Sequence, residues 1–158
     1  MVRQAHHERR RHDRGRERYV AATGDVGCSA LSLIAPEAKQ RKIKLQIDLP
    51  HALPSVQADR ILLQQVLLNL INNALDACAG MEKRQIRVSA EVLANQLQIS
   101  VCDTGKGVAA ADEARLFEAF YSTKPQGMGM GLAICRSIIE NHHGQLWFEA
   151  NPGGGTCF

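Results

Sequence analysis

The chain has 158 residues, 45% of them hydrophobic and 22% charged, a profile that fits one globular domain with an ordinary core. No apolar run approaches the roughly 18 residues of a membrane span and no apolar signal stretch opens the chain, so a cytoplasmic protein is expected. The net charge of +3 is spread unevenly: residues 1–20 hold seven arginines against Glu8, Asp13 and Glu17, and the rest is close to neutral. That arm has neither interleaved aromatics nor a helical period. Residues 1–27 are therefore expected to form a basic, disordered extension without nucleic-acid or membrane contacts, and residues 28–158 the folded domain. Five cysteines, odd in number and without a C-x-x-C pair, indicate neither a disulfide framework nor a zinc site and are expected as reduced thiols.

In chain order, the pattern predicts a helix over residues 29–42 interrupted by Pro36, then a strand in which Ile43, Leu45 and Ile47 alternate with polar residues. A turn over Leu49 to Pro54 and a short strand at Ser55 to Gln57 lead to Asp59, an N-cap for a long helix ending near Gly80. Ile86, Val88, Ala90 and Val92, then Leu97, Ile99 and Val101, give two alternating strands joined as a hairpin through Ala94-Asn95. From Asp103 to about Gly131 the periodicity stops, apart from a short helical patch, for longer than an ordinary connection, as in a functional lid. A helix from Leu132 to Asn141, a strand from Gln145 to Ala150, a turn at Gly153-Gly154-Gly155 and a last strand from Thr156 complete the chain. The count predicts an α+β fold, a two-layer sandwich whose mixed, mostly antiparallel sheet is covered on one face by helices.

Three segments carry chemistry. On the long helix, Gln65, Asn69, Asn72, Asn73 and Asp76 fall within an arc of about 100° opposite the apolar side. Asparagine is a poor helix former. The stripe is either merely exposed or a set of hard oxygens suited to Mg²⁺ and phosphate, with Asn69 and Asn73 one turn apart. Asp103-Thr104-Gly105-Lys106-Gly107 ends a strand at the start of the lid. It is either a turn or a place where the backbone approaches a ligand while a carboxylate accepts from an exocyclic amine. Gly127-Met128-Gly129-Met130-Gly131-Leu132 opens a helix, where backbone N–H groups and the positive dipole end can bind phosphate, although neither a P-loop nor a dinucleotide fingerprint is present. Lys124 could supply a point charge there or be simply solvated.

In this order and spacing the segments resemble the ATP-binding module of the GHKL superfamily, most closely the catalytic domain of bacterial sensor histidine kinases. Gln65 to Ala77 is similar to the N box, Asp103 to Gly107 to the G1 box, Leu116 to Lys124 to the F box and Gly127 to Ile134 to the G2 box, and the ending Asn151 to Phe158 also matches. The resemblance implies a Bergerat fold with an ATP lid, and ATP and Mg²⁺ as cofactors. It implies Asn73 as Mg²⁺ ligand, Asn69 as second ligand or water-positioner, and Asp103 as reader of the adenine amine. Gly105, Gly107, Ala77 and Thr156 would lie at the base. Gly129, Gly131, Leu132, Thr123 and Lys124 would lie at the phosphates, with Phe117 and Phe120 anchoring the lid. The implied reaction is γ-phosphoryl transfer to a histidine on a separate dimerisation hairpin, with a response regulator downstream. A GHKL-type ATPase and a non-catalytic docking module are the alternatives. Residues 1–28 lack the apolar period of such a hairpin, and His142-His143-Gly144 departs from the family's His-Gly-Gly by one glycine.

Overall fold

A computed structural model describes residues 20–50, 53–94, 96–124 and 127–158. Residues 1–19 of the basic arm, two positions of the turn before Pro54 and Asn95 of the expected hairpin lie outside the described residues. Regular structure begins with β1 (Val20–Ala22) and α1 (Thr23–Gln40), so the boundary expected at residue 27 falls inside a helix. Helix α1 also runs through Pro36 without interruption. One backbone bond is lost at the proline, a cost of about 3 kcal/mol, and it is offset by the burial of Val26, Ala30, Leu31, Ile34 and Ala38 along one face.

β2 (Lys44–Asp48) and β3 (Ser55–Gln57) stand where the sequence puts them. β1 pairs antiparallel with β3 as a separate two-stranded sheet. Helix α2 (Arg60–Ala77) starts at Asp59, whose carboxylate accepts the N–H groups of Ile61 and Leu62 at 2.8 and 3.1 Å, a cap that satisfies two donors left orphaned at a helix start. Val66, Leu67, Leu70, Ile71, Ala74 and Leu75 form its buried face, and each fully buried aliphatic side chain contributes about 1.5–3 kcal/mol. Its polar arc points away from that core, as the spacing predicts.

The main sheet has the order β2-β4-β5-β7-β6, with β4 (Gln85–Leu93), β5 (Gln96–Asp103), β6 (Glu149–Ala150) and β7 (Thr156–Cys157). Among the described residues only the β2–β4 pair of this sheet is parallel, and α2 lies in the crossover that a parallel pair requires. The alternation of buried and exposed residues along β4 turns Ile86, Val88 and Ala90 toward the helices, and α4 (Gly131–Asn141) packs on α2. The layers are those expected.

Two further expectations fail in detail. Residues 145–148 do not join the sheet, so β6 is two residues instead of six. Leu146 packs on the core and Phe148 turns into an aromatic cluster, which takes the side chains that a ladder would have alternated. The cysteines are not all reduced: Cys102 and Cys157 are joined in a disulfide, while Cys28, Cys78 and Cys135 are free thiols. Cys102 and Cys157 face each other across β5 and β7. Their neighbours Val101 and Phe158 exchange both backbone bonds at 2.9 Å, so the cysteines occupy the non-hydrogen-bonded position, where opposed Cα atoms come closest.

Candidate functional site

The C-terminal turn of α2, the end of β5, the start of β7 and the lid meet at one end of the sheet. Asp103 is 3% exposed. Its Oδ1 accepts the N–H of Gly105 at 2.8 Å and of Thr156 at 3.3 Å, and no bond to Oδ2 is found among the described residues. Burial pushes its carboxyl above the usual carboxylate range, and the two N–H groups oppose the shift. Asn151 fixes the same residue from the other side, donating Nδ2–H to the Asp103 carbonyl at 2.7 Å.

Gly105 must be glycine because a Cβ would sit 2.5 Å from the carbonyl carbon and oxygen of Ala77. Lys106 donates to that same oxygen at 3.2 Å. The loop after β5 is thereby held flat against the end of α2. Ala77 thus meets the loop beside Asp103 while Thr156 donates to Asp103 itself, and Gly107, at φ +73°, faces Gly155.

On the polar arc Asn73 lies one turn before Ala77, and Asp76 directly precedes it. Lys124 reaches across from the lid and donates to Asn73 Oδ1 at 3.0 Å and to Asp76 Oδ2 at 2.6 Å. Arg41, in the turn after α1, reaches Asp76 Oδ1 at 3.0 Å. Burial pushes the Asp76 carboxyl up, but the bonds from Lys124 and Arg41 outweigh it and hold the group below its ordinary range. Two oxygens of the arc thus already hold a cation, the Lys124 ammonium, and oxygen donors of this kind suit a hard metal ion. Asn69, a turn earlier, lies beside the Cys135 thiol of α4, whose pKa burial raises and the Asn69 amide opposes.

The lid, residues 104–130, contains one short helix, α3 (Ala110–Glu113), among its described residues. Phe117 anchors it, with ring centroids 6.1 Å from Phe148 and 6.5 Å from Phe158. Phe120 does not: it is 80% exposed. Gly129, at φ +67°, closes the lid's two limbs on each other, since a Cβ there would lie 2.5 Å from the Phe120 carbonyl carbon and the Phe120 N–H donates to the Gly129 oxygen at 2.9 Å. Gly131 is the first residue of α4, and Met130 before it makes no side-chain cap, so the first-turn N–H groups have no capping side chain. Leu132 packs its side chain on the core, which leaves only its backbone to a ligand. Thr123 is exposed beside Lys124.

At the far end of α4, His142 Nε2 accepts the N–H of Asp59 at 3.0 Å, and its Nδ1 lies 2.7 Å from the Ile138 carbonyl. The ring therefore carries its proton on Nδ1 and ties the start of α2 to α4. His143 stands at φ +60°, the conformation that the glycine of a His-Gly-Gly motif would adopt without strain.

The segments that resemble the N, G1, F and G2 boxes thus meet at one end of the sheet. Residues 58–158 match the model of the histidine kinase-, DNA gyrase B- and HSP90-like ATPase family, and the chain belongs to that family. It is 45% identical over 141 residues to the C4-dicarboxylate transport sensor protein DctS of Rhodobacter capsulatus, covering 85% of this chain and 21% of DctS. The nucleotide-free catalytic domain of histidine kinase ThkA superposes with a TM-score of 0.78 at 29% identity, covering 87% of this chain and 90% of that one. ThkA in complex with response regulator protein TrrA superposes at 0.73 with 25% identity, covering 87% and 39%. Within the family the chain is an ATP-binding catalytic domain of the sensor histidine kinase kind. It spans 14% to 24% of the length of DctS and two other sensor kinases that it matches. Among the described residues no helix is long and apolar enough to cross a membrane.

Proposed function

We propose that the chain binds Mg·ATP and delivers the γ-phosphoryl group to a histidine on a separate dimerisation hairpin, from which it passes to a response regulator. The observation that carries the reading is buried Asp103, with one carboxylate oxygen taken by two backbone N–H groups and the other without a partner among the described residues. In this reading Oδ2 accepts from the adenine amine, and Ala77, Gly105, Gly107 and Thr156 line the base. Asn73 and Asn69 hold Mg²⁺, which neutralises charge on the phosphates as the phosphoryl group moves. Lys124 leaves Asn73 and Asp76 to meet the phosphates together with Thr123 and the N–H groups of Gly129, Gly131 and Leu132. Positioning and charge neutralisation are then the whole contribution of the domain. The TrrA complex of ThkA supports the downstream partner, and the demand for ATP supports a cytoplasmic setting.

Asn69 bears on the ATPase alternative, because an amide cannot take a proton from water as a carboxylate base does. Incubation with γ-labelled ATP, with and without a histidine-bearing dimerisation hairpin from a related kinase, tests the proposal. Acid-labile, base-stable label on the hairpin is expected. Phosphate release at the same rate with and without the hairpin, with no label on it, would refute the transfer reading.

A further inference from the structure

We propose that Cys102 and Cys157 are a redox switch on the nucleotide site, a cystine whose reduction by a dithiol loosens the strand bearing Thr156 and weakens adenine-nucleotide binding. The switch rests on the nucleotide reading of Asp103.

Cys102 immediately precedes Asp103, and Cys157 immediately follows Thr156, the two residues joined through Asp103 Oδ1. The disulfide therefore clamps the strand pair within one residue of the carboxylate that meets the base. Its Cα atoms are 4.0 Å apart and its sequence separation is 55, so the loop it closes contains the whole lid and α4.

Apart from the disulfide, β7 is held by few backbone bonds and by the Phe158 ring that follows it, which packs on Phe117, Phe148 and the core. The strand is two residues long, and its other neighbour, β6, is equally short. Apart from the disulfide, β5 is joined to this end of the chain by the Val101–Phe158 pair, the Thr156 N–H and the Asn151 side chain. Gly153 and Gly154, in the turn before β7, are exposed. A covalent link is a large share of so short a pairing.

The cystine is also within reach of a reductant. Val101 and Asp103 point into the core, so Cys102 between them lies on the outer face of the sheet, and both cystine residues are partly exposed. Cys78 and Cys135 are fully buried. Thiol–disulfide exchange needs an attacking thiolate to reach a sulfur, and of these four cysteines only the cystine pair offers one.

In the exchange, one thiolate of the dithiol attacks a cystine sulfur, the Cys102–Cys157 bond breaks as a mixed disulfide forms, and the released thiolate takes a proton. The second thiolate of the reductant then displaces the other cysteine and closes the reductant's own disulfide. Two electrons pass from dithiol to cystine, and the dithiol's two protons end on Cys102 and Cys157.

The test treats the full chain with reduced dithiothreitol or with the thiol oxidant diamide, counts free thiols by denaturing alkylation and mass, and titrates Mg·ATP in each state. Three alkylated cysteines are expected under oxidising conditions and all five after reduction. Loss of pre-organisation is expected to weaken Mg·ATP binding roughly threefold to tenfold in the reduced protein. The double variant Cys102→Ser, Cys157→Ser should bind like reduced wild type in either buffer; the wild-type comparison decides the matter if that variant fails to fold. Five alkylated cysteines under oxidising conditions, or equal affinity in the two states, overturns the switch alone. Absence of Mg·ATP binding in both states overturns the nucleotide reading and the switch with it.

Discussion

Replacing Asp103 with asparagine changes one atom at the centre of the proposed site. The carbonyl of the substituted amide can keep the position of Oδ1 and both backbone N–H bonds, now at 2.8 and 3.3 Å, and the amide nitrogen then takes the position of Oδ2. An acceptor becomes a donor, facing the donor on adenine. A hydrogen bond to a charged group contributes about 1.5–3 kcal/mol, so ATP affinity should fall about tenfold to 150-fold. GTP, which carries a carbonyl where adenine carries the amine, should lose less, narrowing the ratio between the two nucleotides. The fold should survive. Burial raises the Asp103 carboxyl in the native state, so the stability it contributes is present below the ordinary carboxylate range and is lost as pH rises through the folded value. Above the folded value the ionised group opposes folding, and the neutral amide does not. Thermal unfolding should therefore show the variant gaining on wild type as pH rises from the ordinary carboxylate range through the folded value. Calorimetric titration of both nucleotides is the assay, and unchanged ATP affinity in a folded Asp103→Asn protein refutes the reasoning.

Asn73→Ala should weaken Mg-dependent ATP binding and leave adenosine binding nearly unchanged, since adenosine has no phosphate for a metal to bridge; equal losses for both ligands would mark a folding defect. Phe117→Ala, removing a half-buried ring from the Phe148–Phe158 cluster, should cost about 1.5–2.5 kcal/mol, less than the roughly 3–5 of a fully buried phenylalanine, and speed amide exchange over the lid. Phe120→Ala, at an 80% exposed site, should stay within about 0.5 kcal/mol of wild type in denaturant titration. His143→Gly relieves a left-handed conformation at φ +60° and should raise stability by about 1 kcal/mol, read as a higher urea midpoint at unchanged slope.

Where the sequence is legible, one local rule decides the outcome. Helix α2 is readable because Asp59 caps it and its apolar residues repeat on one side, so its polar face follows before any fold is known. The same holds for β4 and β5, where alternation states which side meets the helices. The features that escape a sequence reading depend on partners far along the chain. Asp76 gains its place in the site from Lys124, 48 residues away. Cys102 and Cys157 become neighbours only through sheet register, which spacing in the sequence does not encode. β1 follows an arginine-rich run that argues for a solvated arm, and its pairing comes from β3, more than thirty residues later. The roles of Phe117 and Phe120 divide for the same reason: both are large and apolar, and only Phe117 finds rings to pack on among the described residues.

The central claim is that Asp103 and Asn73 mark the two ends of one ATP site. Amide chemical shifts recorded while Mg²⁺ and a non-hydrolysable ATP analogue are titrated into the chain test it directly. Shifts are expected at Gly105 and Thr156 around the base and at Asn73 and Gly131 around the phosphates, and adenosine should move only the first pair. Shifts confined to another face of the domain, or adenosine moving both pairs alike, would contradict the account.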